Sequence, residues 1–594
     1  MRRSPIYGSI YGLLFAAMAG VALPAPGAFA RTNEGLMPIR TGSFAGAYLA
    51  GRVAEGDNDL NAAVAYYRQA LAFDPTNQPM KQNLLIALLT DGKFKDALPL
   101  AEELKTVPEI ERFSRVALAI DAISRKQYRK AGPLLMLSLQ SDMDRLSTGL
   151  MSAWAIFGEG KTKDAIAAVE KLDGPEWYNL FKTYNAALMA DAAGDKSAAR
   201  NFYQQAIDDR SGGSAAPDTY ERIVEAYASF KARNGDKKGA IDLLDQATEL
   251  LSGRLALREV RAKLDGGEKP KPLVSTPQQG AAEVLYTLGT AINRGGAEAF
   301  AKLYLQMSLP LRPNDDATLF QLGDIAAKLQ QPEKAIEYYG RVPKNSVYRR
   351  DAEMQLGLNL AETGKTDEAI KHLKVLLDQD KTDIRSYLAL GGVYAQKKDF
   401  RNAAITYDDA VKTIGTPTRD DWAVFYQRGI AYERLKEWDK AEPSFREALK
   451  LYPDQPQVLN YLGYSWVDMN ANLEEALGMI RKAVELRPQD GYIVDSLGWA
   501  YYRLGRYDEA VTELEKAVKL RPEDATINDH LGDAYWRAGR KLEATFQWNH
   551  AVASKPEPEE LAKIEAKQKH GLPDTDEPAE KRAKAVEPKP DKDG

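Results

Sequence analysis

The chain has 594 residues, with 80 Lys and Arg against 85 Asp and Glu, four His and no Cys. The missing Cys excludes disulfides, iron–sulfur clusters, thiolate zinc sites, cysteine nucleophiles and a lipidated N-terminal cysteine. A net charge of −5 excludes the basic excess of a general nucleic-acid binder, and length alone suggests about four domains unless the chain is a repeat array.

Residues 1–30 read as a signal peptide. Arg2 and Arg3 give a positive start, an apolar stretch covers residues 10–23, and Ala28-Phe29-Ala30 has the small-x-small form of a cleavage site. The expected mature chain starts at Arg31 and is periplasmic, a compartment that the Ala-rich leader and the absent Cys both suit. The apolar run falls short of the about 20 residues of a transmembrane helix. No later stretch resembles a span, so no membrane segment is expected in the mature chain, and without Cys it is not a lipoprotein.

Beyond the leader one motif recurs. Fourteen alanines, the first Ala63 and the last Ala544, stand mostly 34 residues apart; the other steps are 35, 38, 41 and 61. A small residue twelve positions earlier accompanies nearly all of them, as in Gly51, Ala119, Gly323, Gly391, Gly429 and Gly532; Leu85 is an exception, and Gly463 stands thirteen positions before Ala476. Each unit then holds two amphipathic stretches of 12–14 residues, each about 20 Å long as a helix. The small residue and the alanine let the two helices approach, where large residues would overpack the contact. Gly stands five positions before the alanine in eight units, for example Gly160, Gly364 and Gly505, where a positive φ ends the first helix. Aromatics two positions after that point, such as Phe94, Tyr128, Phe400, Trp438 and Tyr507, read as core plugs. Pro75, Pro313, Pro453, Pro488, Pro522 and Pro556 close several second helices.

The pattern resembles the tetratricopeptide repeat (TPR) family, which has a 34-residue period with small, Tyr, Ala, aromatic, Ala and Pro positions. Gly498, Tyr501, Ala510, Leu514, Ala517 and Pro522 match it in one unit, and Gly532, Tyr535, Ala544, Trp548, Ala551 and Pro556 in the next. The resemblance implies an all-α fold, an α-solenoid superhelix of about 14 helix-turn-helix units whose first helices line a concave face.

The array divides into two blocks. Residues 31–252 hold about six degenerate units, which keep the period but lose the Pro and often the Tyr. Residues 253–281, rich in Pro, Gly and Lys, read as a linker or exposed loop. Residues 282–556 hold about eight units. A short helix ending near Lys569 is expected next, and residues 557–594 otherwise read as a charged, Pro-rich, mostly disordered tail.

Little in the sequence carries chemistry. Gly158-Glu159-Gly160-Lys161-Thr162 resembles the end of a phosphate loop, but its first Gly would be Ala155, and Gly364-Lys365-Thr366 repeats the pattern at the same point of another unit. Repeat-turn chemistry explains both. The four His form no metal-ligand spacing and no nucleophile elbow occurs. No catalytic residue, metal or cofactor is expected.

What remains is a binding surface for protein partners, a peptide or a helix in the concave groove. The family resemblance assigns repeat positions 2, 5, 9 and 12 to the groove. In the C-terminal block these give Tyr426, Asn460, Tyr464, Tyr492, Asp495, Trp499, Tyr502, Asp529, Asp533 and Trp536, aromatics interleaved with carboxylates. In the N-terminal block they give an apolar stripe including Ile120, Leu150, Trp154, Phe157 and Tyr184, readable as a groove for apolar segments or as packing within the block itself. The Lys and Asn pair that clamps a C-terminal carboxylate in chaperone-cofactor repeats is absent.

The last 170 residues or so also resemble a group of proteobacterial envelope repeat proteins. One of these holds a carboxy-terminal processing protease and brings cell-wall hydrolases to it. That resemblance implies a non-catalytic scaffold, an adaptor presenting substrates to such a protease. The alternative is an assembly or secretion factor for envelope polymers or outer-membrane complexes.

Overall fold

The computed structural model describes residues 39–137, 141–251, 255–293 and 297–573. The leader with Ala28 and Ala30, and the tail from residue 574, lie outside them. The described residues form 31 α-helices and one 3-10 turn, and no strand. Consecutive helices pack pair by pair along the chain, which is an all-α solenoid.

The repeat register is the packing register. All fourteen marker alanines are fully buried. In several units the small residue of the first helix makes room for a ring sixteen positions later, and in others, such as Gly498 with Leu514, for an aliphatic side chain. A Cβ on Gly323, Gly391, Gly429 or Gly532 would come within 2.5 Å of Tyr339, Tyr407, Phe445 or Trp548 respectively. These rings are the plugs between paired helices, and all four are almost completely buried. The aromatics that open the second helices are not: Phe94 is buried, but Tyr128, Phe400, Trp438 and Tyr507 are only half-buried. At that first-turn position a ring covers the edge of the pair rather than its centre.

The turns are alike throughout. After the helix Gly491–Arg503, Gly505 N–H donates to Tyr502 O and Arg506 N–H to Tyr501 O, both at 2.9 Å, with Gly505 at φ +76°. This left-handed C-cap satisfies carbonyls that a helix end otherwise leaves bare. Gly160 is such a cap at φ +84°, and the neighbouring Lys161 pairs with Glu159 on the surface. The phosphate-loop look-alike is therefore a repeat turn.

The described chain divides into two compact units at residues 372 and 373, within the helix Thr366–Gln379. The division does not fall in residues 253–281. That segment contains the helix Leu255–Asp265, and Thr276 then caps the helix Pro277–Ile292 by accepting from Gln279 N–H. Between them Val274 is buried and Lys271 O accepts from Ser229 Oγ at 2.7 Å. Residues 266–276 form a mostly exposed loop between the two helices, and the helix after it is buried from Gly280 to Thr290 without a break.

In the N-terminal unit, Pro277–Ile292 packs against Asp142–Gly158, Tyr178–Ala192 and Pro217–Arg233. The following helix Glu298–Ser308 packs on Gln78–Thr90, and Gln331 Nε2 donates to Asn58 O at 2.6 Å. The unit therefore closes on itself around a helix it supplies. In the C-terminal unit, helices from Ile384–Gln396 to Lys541–Ala553 contact mainly their immediate neighbours in sequence, and Pro558–His570 packs on the last of them.

Candidate partner-binding groove

The apolar stripe of the N-terminal unit is not a groove. Ile120, Leu150, Trp154 and Tyr184 are fully buried, and only Phe157 remains half-buried, 5.3 Å from the Trp154 ring. The helix Pro277–Ile292 lies against this surface. Gly280 sits so close to Trp154 that a Cβ would come to 2.2 Å of its ring. Gln278 Nε2 donates to Ile123 O, and Tyr184 Oη donates to Glu283 Oε1 at 2.9 Å. Glu283 is held in turn by Arg222, through Nε at 3.1 Å and a second guanidinium nitrogen at 2.9 Å. Both ends of that pair are 2% exposed. Breaking a pair buried this deeply, by moving either helix, would leave an uncompensated charge. The stripe is apolar because it is interior, and the helix that covers it comes from outside residues 31–252 rather than from that block's own repeats.

The C-terminal unit keeps an open groove. It has a volume of about 410 Å³ and is bounded by the inner faces of Trp422–Arg434, Pro456–Asp468, Gly491–Arg503 and Ala525–Arg537. Five sequence-predicted residues line it: Tyr426, Asn460, Tyr464, Tyr492 and Asp495. Tyr426 is the floor, buried against Trp422, Phe445 and Tyr461 with ring centroids about 6 Å apart. Tyr464 is half-buried, and burial raises its hydroxyl pKa well above the ordinary value. Arg521 lies 5.0 Å over the Tyr492 ring. The Oδ1 of Asn460 is buried with no partner among the described residues.

Asp495 accepts from or pairs with His530 Nδ1 at 3.0 Å. Trp499 stacks on His530 at 4.1 Å and on Tyr502 at 4.7 Å, and its indole N–H is buried without a partner. Burial alone would lower the His530 pKa, but the Asp495 carboxylate outweighs it and raises it. His530 was not read from the sequence as part of the site. Its signal was available, since it stands one residue past the Asp529 groove position.

The last three predicted residues are covered by the chain's own final helix. Lys567 Nζ lies 2.7 Å from Asp529 Oδ2 and 2.8 Å from Asp533 Oδ2, while Gly571 abuts the ring of Trp536. Burial and the neighbouring Asp529 push the Asp533 carboxyl up to about 6, against the pull of Lys567. The groove lining is acidic overall: Glu433, Asp468, Asp490, Asp495 and Asp524 face one arginine, Arg434, and His530. No group of three or more metal-ligating side chains occurs among the described residues, and no described helix is long and apolar enough to cross a membrane.

A family model for the tetratricopeptide repeat matches residues 46–77 and 317–342, each one helix-turn-helix pair of the structure. The chain carries tetratricopeptide repeats. A model described as the C-terminal domain of cilia and flagella-associated protein 70 matches residues 340–568. A TPR repeat-containing protein of Pseudomonas aeruginosa is 28% identical over 192 residues, 32% of this chain and 32% of that protein. The general transcriptional corepressor ssn6 of Schizosaccharomyces pombe is 24% identical over 192 residues, 32% of this chain and 17% of that protein. These matches span a third or less of each relative's length. Among solved structures, yeast Tom70 covers 91% of this TPR chain and 96% of its own at 16% identity and a TM-score of 0.35. The Cut9–Hcn1 hetero-tetramer covers 89% and 96% at 14% identity and a TM-score of 0.37.

Proposed function

We propose that this chain is a non-catalytic protein-interaction scaffold of the bacterial periplasm that docks a segment of a partner in its C-terminal groove. The observation that carries the reading is the contrast between the units. One fills its concave interior with its own helix, while the other leaves an aromatic, acidic groove with a buried, unpaired Asn460 Oδ1 at its wall. Large rings supply contact area at low entropy cost, and buried polar atoms gain when a ligand pairs them. The signal-peptide pattern of residues 1–30 supports the periplasmic part of the reading, and the resemblance of the last repeats makes an envelope protease of the carboxy-terminal processing type, with its substrates, the partner to look for.

The test is site-specific photocrosslinking in the native host. A photoreactive phenylalanine analogue at position 464 is expected to capture a protease or its substrate, and the same analogue at Glu475, on the outer helix Leu473–Leu486, is not. Identical captures at both positions would remove the groove from the reading. Recovery of the full chain in the cytosol after osmotic shock would remove the periplasm.

A further inference from the structure

We propose that the C-terminal groove recognises a lysine-bearing segment, with the lysine ammonium seated on Asp495 and apolar side chains laid across Tyr426, Tyr464 and Tyr492. The inference deepens the docking reading above and rests on it.

The chain itself shows how its inner face takes a cation. Asp529 and Asp495 occupy the same repeat position, 34 residues apart. At Asp529 the position is occupied: Lys567, from a helix outside the repeat pairs, reaches in and places its ammonium within 2.9 Å of both carboxylate oxygens and 2.8 Å from Asp533. Its side chain is 19% exposed, so the contact is largely shielded from water. One repeat earlier the corresponding carboxylate, Asp495, lines the groove and has the imidazole of His530 at its side. One repeat earlier again, the equivalent side chain is Asn460, whose buried Oδ1 accepts from nothing described. The track thus runs from a seat filled by a lysine ammonium to a carboxylate that lines the groove with only the His530 imidazole beside it, and then to an amide oxygen without a partner. All three are acceptors, which suits a donor-rich ligand and disfavours a carboxylate-bearing one.

Charge around the groove agrees. Asp490 and Asp524 cap the helices Gly491–Arg503 and Ala525–Arg537 at its rim, and Asp468 stands at its mouth, 65% exposed and 3.4 Å from Arg503. The rings give the ammonium a second kind of partner, since a cation over a Tyr or Trp face is attracted by its quadrupole. The groove volume of about 410 Å³ falls within the range of about 300–1,000 Å³ typical of ligand sites, enough for a few side chains and not for a domain.

The experiment uses residues 31–594 and three fluorescein-labelled twelve-residue peptides with one Leu/Ala framework, carrying Lys, Gln or Glu at every third position. Anisotropy titration in moderate salt is expected to show the Lys peptide binding at least tenfold tighter than the Gln peptide, with the Glu peptide weakest. Asp495→Asn is expected to lower affinity for the Lys peptide about tenfold. Asp468→Asn, at an exposed position that poses no threat to the fold, is expected to lower it two- to threefold, and Glu475→Gln on the outer face to leave it unchanged. Equal binding of the three peptides, still weakened by Tyr464→Ala, would overturn the lysine inference and keep the docking groove. Binding indifferent to Tyr464→Ala, or weakened as much by Glu475→Gln as by Asp495→Asn, would overturn both, as would no binding of any peptide.

Discussion

At the residue scale the repeat turn shows how little its conformation depends on the residue that occupies it. Seven turns place Gly at φ between +76° and +91°, and six others reach φ near +60° with Asn58, Lys126, Gln330, Lys398, Lys436 or Asn470. The left-handed region costs an L-residue about 1–2 kcal/mol, partly offset by the extra unfolded-state freedom of Gly. Lys398→Gly and Lys436→Gly are therefore each expected to raise stability by about 0.5–1 kcal/mol, read as a higher urea midpoint; a fall would mean the lysine side chains hold the turn. The opposite substitution tests the plug. A Cβ on Gly391 would lie 2.4 Å from the Tyr407 ring, so Gly391→Ala is expected to cost about 1–3 kcal/mol. A third residue sets a pH dependence. Tyr339 Oη donates to Asp324 Oδ1 at 2.7 Å, and burial pushes the Asp324 carboxyl up to about 6. The protonated acid fits the fold better than the carboxylate, so its contribution is present below about pH 4 and is lost as pH rises through 6. Asp324→Asn, which cannot ionise, is expected to have a flatter melting-temperature profile between pH 4.5 and 7.5 and to gain on the order of 1 kcal/mol at the upper end. Parallel profiles would show that Asp324 does not set the slope.

At the element scale, local rules were legible and long-range ones were not. The alanine register, the Gly turns and the short helix after residue 557 follow from spacings within one or two units, and the helix Pro558–His570 lies where the sequence places it. What the sequence left open was what each element packs against. The Pro, Gly and Lys of residues 266–280 look like a linker by composition, yet they lead into a helix that is buried on every side, with Ala281, Val284, Leu285 and Leu288 in the core on one face and Glu283, Thr287 and Thr290 buried on the other. Long apolar content with a single charge, Glu283, between residues 277 and 292 was the signal available for this helix after Pro277. Nothing local announces that its site is the stripe around Trp154, more than 120 residues earlier. The final helix raises the same issue at the C-terminal end, where its Lys567 covers Asp529 and Asp533 of the expected groove. Lys567→Met removes the cation from Asp529 and the buried Asp533. A loss on the order of 2 kcal/mol is expected at pH 7.5 and a smaller one at pH 5, because Asp533, whose carboxyl sits at about 6, is then protonated and no longer needs the pairing. Equal losses at both pH values would place the value of the contact in the lysine stem rather than its charge.

At the scale of the whole molecule the two units differ in how their contacts are distributed along the chain, and this dictates how each opens. An array whose repeats touch only the adjoining repeats loses structure from its ends, since each repeat is held by its own stability and one or two interfaces. The C-terminal unit has that character up to its capping helix. The N-terminal unit does not, because Pro277–Ile292 binds together Asp142–Gly158, Tyr178–Ala192 and Pro217–Arg233 through Gly280, Glu283 and Arg222. Withdrawing the central helix would take Glu283 from Arg222, leaving it only Glu225, and bare the Trp154 surface together, so these helices are expected to open as a single cooperative block. Native-state hydrogen exchange checks this directly. Amides in the helices at 142–158, 178–192 and 277–292 are expected to share one opening free energy, despite the sequence between them, whereas protection in the C-terminal unit rises in steps from 541–553 inward. Arg222→Ala leaves Glu283 buried without its cation and is expected to lower that shared value by about 3–5 kcal/mol while leaving the steps near 541–553 where they were. A graded profile through the N-terminal unit, or an Arg222→Ala effect confined to its own helix, would mean that the central helix is a passenger rather than the element that closes the unit.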